Sequence, residues 1–319
     1  MKTEPAIAAT ETEVRAPVLP PKKLTPRQLK RARRRRALSR FWAAFRQSKM
    51  GMAGLVILIF FVGVAIFSMF ANKGALDPTV TTNGPRLAGP SLKYPLGTQV
   101  DGISVLSLTI EGARISLFVG LAAAVISMAL GTIIGMWAGY KSAVHDAILM
   151  RITDVFLVLP WLALAIVLAA MFGQNFWIII VIIGVTSWAG TARLVRAQVL
   201  SVKERNYIER SRALGASDAH VVIKHITPNL MPVIFANTIL TIAIAILSES
   251  ALSFLGLGNP LSKSWGTLIE AAFNAGALTL HAWWWLLAPS FSIVLVVLGF
   301  TLVGQAIESI IDPRLRERR

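Results

Sequence analysis

The sequence of 319 residues contains no cysteine, and this absence excludes several kinds of site. Without thiols the chain cannot form a disulfide framework, a cysteine-ligated zinc site, an iron-sulfur cluster or a thiol nucleophile. Charged residues are also scarce, at 15%, whereas hydrophobic residues make up 55%. An ordinary soluble domain contains about 25% charged residues. The composition therefore predicts a polytopic membrane protein.

The motifs of the commoner catalytic sites are also missing. The sequence has no GxxxxGK[ST] phosphate loop, no HExxH pair and no GxSxG nucleophile motif. Its histidines are scattered, without a neighbouring cluster of carboxylates, and a metal site needs three or four converging ligands. They are His145, His220, His225 and His281. We therefore predict a non-catalytic chain that itself binds no cofactor and no metal.

Positive charge is concentrated near the N-terminus. Residues 1–49 contain 14 Lys and Arg against 3 Asp and Glu, so they supply +11 of the formal charge of +16. Nucleic-acid binding would require interleaved aromatic residues or a folded module, and the pattern shows neither, so we exclude nucleic acid as a partner. We interpret the basic run as a topology signal that also contacts membrane lipids, and we expect residues 1–25 to be disordered.

Uncharged runs predict six transmembrane helices. Gly51–Ala71 has 21 residues without a charge, which is about 31 Å of helix and matches a hydrocarbon core of about 30 Å. One longer run, 155–192, has room for two helices, and Gly173-Gln174-Asn175 is a turn signal that divides it. The remaining runs are 115–139, 230–248 and 284–307.

The distribution of Lys and Arg predicts the orientation of these spans. If the N-terminus is cytoplasmic, 27 of the 32 Lys and Arg lie on the cytoplasmic side, as the positive-inside rule requires. Both termini are therefore expected to be cytoplasmic. The predicted organisation is a basic tail over 1–49, an anchor helix over 50–72, an outer loop over 73–114, a five-helix core over 115–307 with a cytoplasmic loop at 199–229 and an outer segment at 250–283, and a C-terminal tail over 308–319.

The cytoplasmic loop has the pattern of two short helices that meet at a corner. Gly215 is the residue type that ends a helix in the left-handed conformation, which predicts a first helix over 204–214. Ser217 is a favourable N-cap with Asp218 in the first turn, so a second helix is predicted over 218–226, ended by Pro228. This pattern predicts a rigid knob and not a flexible connection.

The same loop resembles the EAA loop of ABC importer permeases. The resemblance rests on NYIERSRALGASD at 206–218 and on HITPN at 225–229. In that family the loop docks into a cleft on a cytoplasmic ATPase subunit. Arg210 and Ser211 stand where the family usually has alanines. The positions that the resemblance assigns to ATPase coupling are Tyr207, Glu209, Arg210, Ser211, Arg212, Ala213, Leu214, Gly215, Ala216, Ser217 and Asp218.

Further motifs are similar to those of the dipeptide and oligopeptide permease family, which also includes nickel and glutathione importers. They are YPLGT at 94–98, GARISL at 112–117, SFLGLG at 253–258, SWG at 264–266 and DPR at 312–314. The resemblance implies an all-α type I ABC importer permease fold, with one anchor helix before five core helices, in the bacterial inner membrane. It also implies a second permease subunit, two ATPase subunits that use ATP and Mg, and an extracytoplasmic substrate-binding protein as partners.

Two features near the outer side are singled out. Gln99, Ile103 and Ser104 stand where the family usually has charged residues, and with Asp101 they are expected to contact the substrate-binding protein or the partner permease. Glu249 lies at the edge of the fifth span, where an ionisable side chain suggests either a structural hydrogen-bonding role or a place in the gate. Both interpretations of Glu249 stay open from the sequence.

The expected function is a transmembrane subunit of an ATP-driven importer for dipeptides or oligopeptides. Nickel or glutathione as cargo is an alternative within the same architecture. A self-contained ion-coupled carrier would require paired acids in the spans, which are nearly free of charge. A basic-tailed membrane scaffold would leave the Gly-cornered loop unexplained.

Overall fold

The computed structural model describes residues 26–70 and 84–311, and the regular structure of these residues is α-helical. This confirms the all-α prediction. Several expectations concern residues outside these ranges: the disordered tail over 1–25, the end of the anchor helix, the start of the outer loop, and the DPR motif with most of the C-terminal tail. The chain divides into two compact units between Ala43 and Ala44.

Twelve helices are described over these ranges. They are α1 (Pro26–Gln47), α2 (Lys49–Phe70), α3 (Val105–Tyr140), α4 (Ala143–Val158), α5 (Trp161–Phe172), α6 (Phe176–Thr186), α7 (Trp188–Lys203), α8 (Asn206–Ala213), α9 (Asp218–Val221), α10 (Thr227–Leu252), α11 (Trp265–Asn274) and α12 (Trp283–Ile311). Two π-helical turns, Val222–Ile226 and Ser253–Leu257, flank α10.

Within the described residues, five helical segments are long and apolar enough to cross a membrane, and the bent pair α4–α5 gives a sixth. The turn predicted at Gly173-Gln174-Asn175 is present between α5 and α6. Gly173 has φ +90°, and the Asn175 side chain accepts a hydrogen bond from the Trp177 amide at 2.9 Å. Six spans, with one broken, agree with the number that the sequence predicts.

The third span differs from its sequence prediction, which began an uninterrupted run at residue 155. Here α4 begins at Ala143, and its axis is bent by 89° from that of α5. Pro160 lies at the break. It has no amide hydrogen to donate, and it favours extended backbone at the preceding residue, which Leu159 adopts at φ −65° and ψ 130°.

A second correction concerns Pro228, which was expected to end a helix. The helix instead continues from Asp218 through Leu252 and into the π-helical turn Ser253–Leu257, where Gly256 leaves helical backbone at φ +77°. Pro228 has no amide hydrogen, so one carbonyl of the preceding turn lacks its helical donor, and the helix is irregular there: the π-helical turn Val222–Ile226 directly precedes α10. The π-helical turn Val222–Ile226 joins α9 to α10, so the loop and the fifth span form one helical rod.

Within the second unit, helix α3 packs along both α7 and α10. Its contact with α10 is antiparallel. A Cβ at Gly120 would lie 2.3 Å from Cγ1 of Ile246, and further along Asn237 donates a hydrogen bond towards Met128 at 3.4 Å. Thr227 and Met136 make the last of these contacts before the loop. The two helices are therefore in contact over most of their length.

Candidate functional site

The corner of loop 199–229 is built by a helix C-cap. At the end of α8, Gly215 has φ +85°, a conformation that side-chain-bearing residues rarely adopt. The Gly215 amide donates to the Arg212 carbonyl at 2.9 Å, and the Ala216 amide donates to the Ser211 carbonyl at 3.1 Å. This pair of bonds is the Schellman motif, which satisfies the last carbonyls of a helix.

The second helix of the loop begins as the sequence predicts. The Ser217 hydroxyl accepts a hydrogen bond from the His220 amide at 3.4 Å and caps α9. Asp218 lies in the first turn, where its negative charge is favoured by the helix dipole. The local prediction of a Gly corner followed by a capped helix is therefore confirmed.

An apolar core fixes the segment 206–218, which we call the knob, to the spans. Ile208 of α8 is fully buried among Val199 of α7, and Val221, Ile226 and Leu230 of the helical rod. Burying an Ile side chain contributes about 1.5–3 kcal/mol relative to leaving it exposed. Since these side chains come from the fourth span, the loop and the fifth span, the knob is part of the packed helical bundle.

A polar cluster joins the loop to the end of α3. The Tyr140 hydroxyl donates to Oδ1 of Asp218 at 2.7 Å, and Nζ of Lys141 lies 3.7 Å from Oδ2 of the same carboxylate. The Arg212 guanidinium lies 5.3 Å from the centre of the Tyr140 ring, within the range of a cation–π contact. Lys203 donates to the Tyr140 carbonyl at 3.0 Å.

The residues at 225–229 contact the back of α8. Nε2 of His225 lies 3.4 Å from the Ser211 hydroxyl. The side-chain amide of Asn229 donates to the Tyr207 hydroxyl at 3.3 Å and to the His225 carbonyl at 2.6 Å. The two segments that the sequence singled out, 206–218 and 225–229, are therefore brought together.

The outward side of the knob combines apolar and charged groups. Leu214, at the corner, has 89% of its surface exposed, and Tyr207 has 39% exposed. Glu209, Arg210 and Ala213 are also exposed. This side of the knob thus presents an apolar side chain beside charged ones, on a support that the buried core around Ile208 holds in place. Across the described residues, no group of three or more His, Asp or Glu is placed to hold a metal ion.

The outer-loop residues lie at the other end of α3. Ser104 precedes α3, whereas Tyr140 ends it, so Gln99, Asp101, Ile103 and Ser104 are far from the knob. The Gln99 side-chain amide donates to the Asp101 carboxylate at 3.3 Å, and the Gln99 backbone amide donates to the Ile103 carbonyl at 2.9 Å. Gln99, Asp101 and Ile103 line an open depression of about 570 Å³, together with Lys263 and Glu270.

Glu249 lies at this same end of the bundle. Its residue surface is 3% exposed, so it is more deeply buried than a place at the edge of a span suggested. Ser253 donates to Oε1 at 2.8 Å, and Ser116 donates to Oε2 at 3.5 Å. A buried carboxyl with hydroxyl donors on both oxygens is a hydrogen-bonding centre between helices.

Sequence reasoning missed Tyr140 and Lys203. Lys203, at the start of the loop, contacts Tyr140 across 63 positions of the chain, and Tyr140 contacts Asp218 across 78, so no local motif marks either contact. The weak signal for Tyr140 is its place at the end of an uncharged run, next to Lys141. Neither residue type, by itself, indicates these contacts.

Comparison with known proteins agrees with this geometry. A family model described as "Binding-protein-dependent transport system inner membrane component" matches residues 131–317, and one described as "N-terminal TM domain of oligopeptide transport permease C" matches residues 37–90.

Two relatives come from Bacillus subtilis (strain 168). The dipeptide transport system permease protein DppC is 38% identical over 86% of this chain and 85% of its own length. The oligopeptide transport system permease protein OppC is 36% identical over 86% of this chain and 88% of its own length. A dipeptide transport system permease protein DppC of Alkalihalophilus pseudofirmus is 33% identical over 88% of this chain and 92% of its own length.

The family match covers the span formed by α6 and α7, the spans of α10 and α12, the bent pair α4–α5, and the knob. The relatives cover more than four fifths of both chains. This chain is therefore a multi-pass, non-catalytic inner membrane protein that belongs to the family of binding-protein-dependent transport system inner membrane components.

Proposed function

We propose that this chain is a transmembrane subunit of an ATP-driven importer for dipeptides or oligopeptides. The observation that carries the proposal is the rigid knob at 206–218, which exposes Leu214 and Tyr207 while Ile208 and Asp218 fasten it to three spans. Two relatives whose names specify dipeptide or oligopeptide transport support the choice of cargo.

In the proposed complex, the knob lies on the cytoplasmic side and contacts one of two ATPase subunits, which bind the ATP and Mg. A second permease subunit completes the pathway, and an extracytoplasmic binding protein delivers the peptide. Gln99, Asp101, Ile103 and Ser104 then lie at the outer end, where the binding protein or the partner permease would contact them. ATP-driven movement of the knob would reorient the spans between outward and inward access.

The knob assignment is tested at Gly215. Its φ of +85° makes a β-branched residue unfavourable by about 1–2 kcal/mol, whereas Asn tolerates this conformation. We expect Gly215→Val to lose co-purification of the ATPase subunits and ATP-dependent peptide uptake, and Gly215→Asn to retain both in large part. The two side chains are of similar size, so the comparison isolates the backbone conformation.

The measurement is purification in mild detergent through a tag on this chain, co-expressed with its candidate partners, followed by reconstitution. Peptide-stimulated ATP hydrolysis by the wild-type complex supports the proposal, and competition with nickel and with glutathione tests the cargo. Normal uptake by Gly215→Val would contradict the knob assignment. Uptake by this chain alone, without ATP, would favour an ion-coupled carrier.

A further inference from the structure

A buried carboxyl lies at the far end of the helical rod from the knob. Asp218 begins the rod, and Glu249 lies near its other end, in the last turns of α10. Burial of a carboxyl is costly unless hydrogen bonds compensate it. The compensation comes from Ser253, one turn further along the rod, and from Ser116 on α3. The carboxyl therefore joins the rod to α3.

The hydrogen-bond chain continues to α11. The Trp265 amide, in the first turn of α11, donates to the Ser116 hydroxyl at 3.1 Å, while that hydroxyl donates to Glu249. Amides in the first turn of a helix have no partner within the helix, and the positive end of its dipole favours a nearby carboxyl. Ser116 thus links the Trp265 amide of α11 to the Glu249 carboxyl of α10. We call this hydrogen-bonded chain of Trp265, Ser116 and Glu249 the relay.

Close packing surrounds this relay. Trp265 is fully buried, and its indole Nε1 donates to the Thr109 carbonyl of α3 at 2.9 Å. A Cβ at Gly112 would lie 2.7 Å from Cδ1 of Trp265, and a Cβ at Gly266 would lie 2.7 Å from Cβ of Ser253. The start of α11 therefore has no room to slide against α3 or the rod without breaking the relay.

Helices α3 and α10 are thus joined by polar contacts at both ends. Near the knob the contact is between Tyr140 and Asp218, and at the far end it is between Ser116 and Glu249. Between them the rod is continuous, and it includes the π-helical turn Val222–Ile226 and Pro232. Only the far contact also includes α11.

We propose that Glu249 is a positioning residue that fixes α11 to the pair α3–α10, so that α11 moves as one body with the knob. This inference rests on the proposed function, because the ATPase subunits supply the movement. In the orientation proposed above, α11 lies at the outer mouth, beside the depression lined by Lys263 and Glu270. The carboxyl would then couple events at the ATPase to the outer end of the pathway.

The first test measures peptide uptake per ATP hydrolysed in the reconstituted complete transporter. Glu249→Gln keeps the size of the side chain but replaces one acceptor oxygen with an amide donor. We expect this variant and Ser116→Ala each to lower the uptake-to-hydrolysis ratio about fivefold, the effect of one ordinary intramolecular hydrogen bond, while ATP hydrolysis continues. The double variant should be no worse than either single variant, because both break one relay.

Ser292→Ala is the matched control for Ser116→Ala. Ser292 of α12 is also buried, but its hydroxyl donates to the Ala288 carbonyl of its own helix at 2.9 Å and is not part of the relay. Its substitution should leave the ratio unchanged. If Glu249→Gln does not fold, Ser116→Ala alone decides the outcome, since it removes the relay without changing the carboxyl.

The second test measures the distance between α11 and α3. Because the chain has no cysteine, Ala271→Cys and Val125→Cys, both at exposed positions, introduce two spin-label sites without competing thiols. We expect one narrow distance distribution, the same with and without trapped ATP, and a broadened distribution in Glu249→Gln and Ser116→Ala. The control Ser292→Ala should retain the narrow distribution.

Two outcomes would overturn the inference: a narrow distribution with a normal uptake ratio in both relay variants, or a wild-type distance that changes with nucleotide. Failure of the proposed function is visible separately. A wild-type complex without peptide-stimulated ATP hydrolysis refutes the importer assignment, whereas the distance measurement without nucleotide still reports whether Glu249 fixes α11.

Discussion

Single glycines set the distance between α3 and α7. Gly131, Gly135 and Gly139 recur every four residues and so lie on one face of α3. A Cβ at Gly135 would lie 2.4 Å from the Ala192 carbonyl oxygen, and a Cβ at Gly139 would lie 2.8 Å from Cβ of Val199. Small residues allow this approach, which is a recurring way for helices to pack in a membrane.

We predict that Gly135→Leu destabilises the protein by about 1–3 kcal/mol, because the larger side chain must push α7 away. Gly190→Leu is the control on α7, since a Cβ at Gly190 meets no atom within 4 Å. Thermal unfolding in detergent should show a lower midpoint for Gly135→Leu and a nearly unchanged one for Gly190→Leu. Equal midpoints for the two variants would show that this face does not determine stability.

At the residue scale, the sequence predicted those parts of the site that depend on local chain chemistry. Gly215 and Ser217 were predicted because a left-handed cap and an N-cap are properties of a few consecutive residues. Tyr140 was not predicted, because its partner Asp218 is distant in the chain and is reached only through the packing of α3 on α10. The burial of Glu249 depends on the same packing.

At the scale of elements, the bent helix α4 is held against α7 by two ion pairs. The Asp146 carboxylate accepts from Nε and Nη2 of Arg196 at 2.5 and 2.6 Å, and Asp154 accepts from Arg193 at 2.5 Å. The first pair is bidentate and the less exposed of the two. A bidentate pair of this kind constrains direction as well as distance, so it fixes how α4 leaves the bundle.

Charge reversal tests whether these ion pairs hold α4 against α7. Asp146→Arg and Arg196→Asp each place like charges together, and we expect each to destabilise the protein by about 1–2 kcal/mol. The exchange of both residues restores opposite charges and should recover part of the loss. The same exchange at Asp154 and Arg193 should have a smaller effect, since exposed pairs contribute little. Unfolding midpoints in detergent measure both series. If the Asp146/Arg196 exchange had a midpoint no higher than those of its single variants, the ion pair would not be what holds α4 against α7.

The helices were predicted well where hydropathy alone determines their positions. They were predicted less well where backbone hydrogen bonding determines whether a helix bends or continues. The spans follow from uncharged runs that are long enough to cross the hydrocarbon core. The 89° bend and the continuation past Pro228 were not predicted, because a proline either breaks or begins a helix according to the hydrogen bonds around it. The π-helical turn at Val222–Ile226 has no signature in composition.

At the scale of the whole molecule, the proposed orientation makes a prediction about access. Ser201 is exposed near the knob, and Leu261 is 92% exposed at the opposite end of the bundle. Since the chain has no cysteine, each position can be labelled singly as Ser201→Cys or Leu261→Cys. A membrane-impermeant thiol reagent should label Leu261→Cys in intact spheroplasts and Ser201→Cys only after permeabilisation. The reverse pattern would invert the topology and exclude a cytoplasmic knob.

The length of the rod has a consequence for how a soluble partner reaches this protein. From Asp218 to Leu252 the rod has 35 residues, about 52 Å of helix, which is well beyond a hydrocarbon core of about 30 Å. Even at a tilt of about 40° the rod rises by about 40 Å, close to the thickness of the headgroups and the core together. In the proposed orientation the rod is therefore long enough to place the knob at the edge of the headgroup region, where a protein that binds it would need no affinity for lipid.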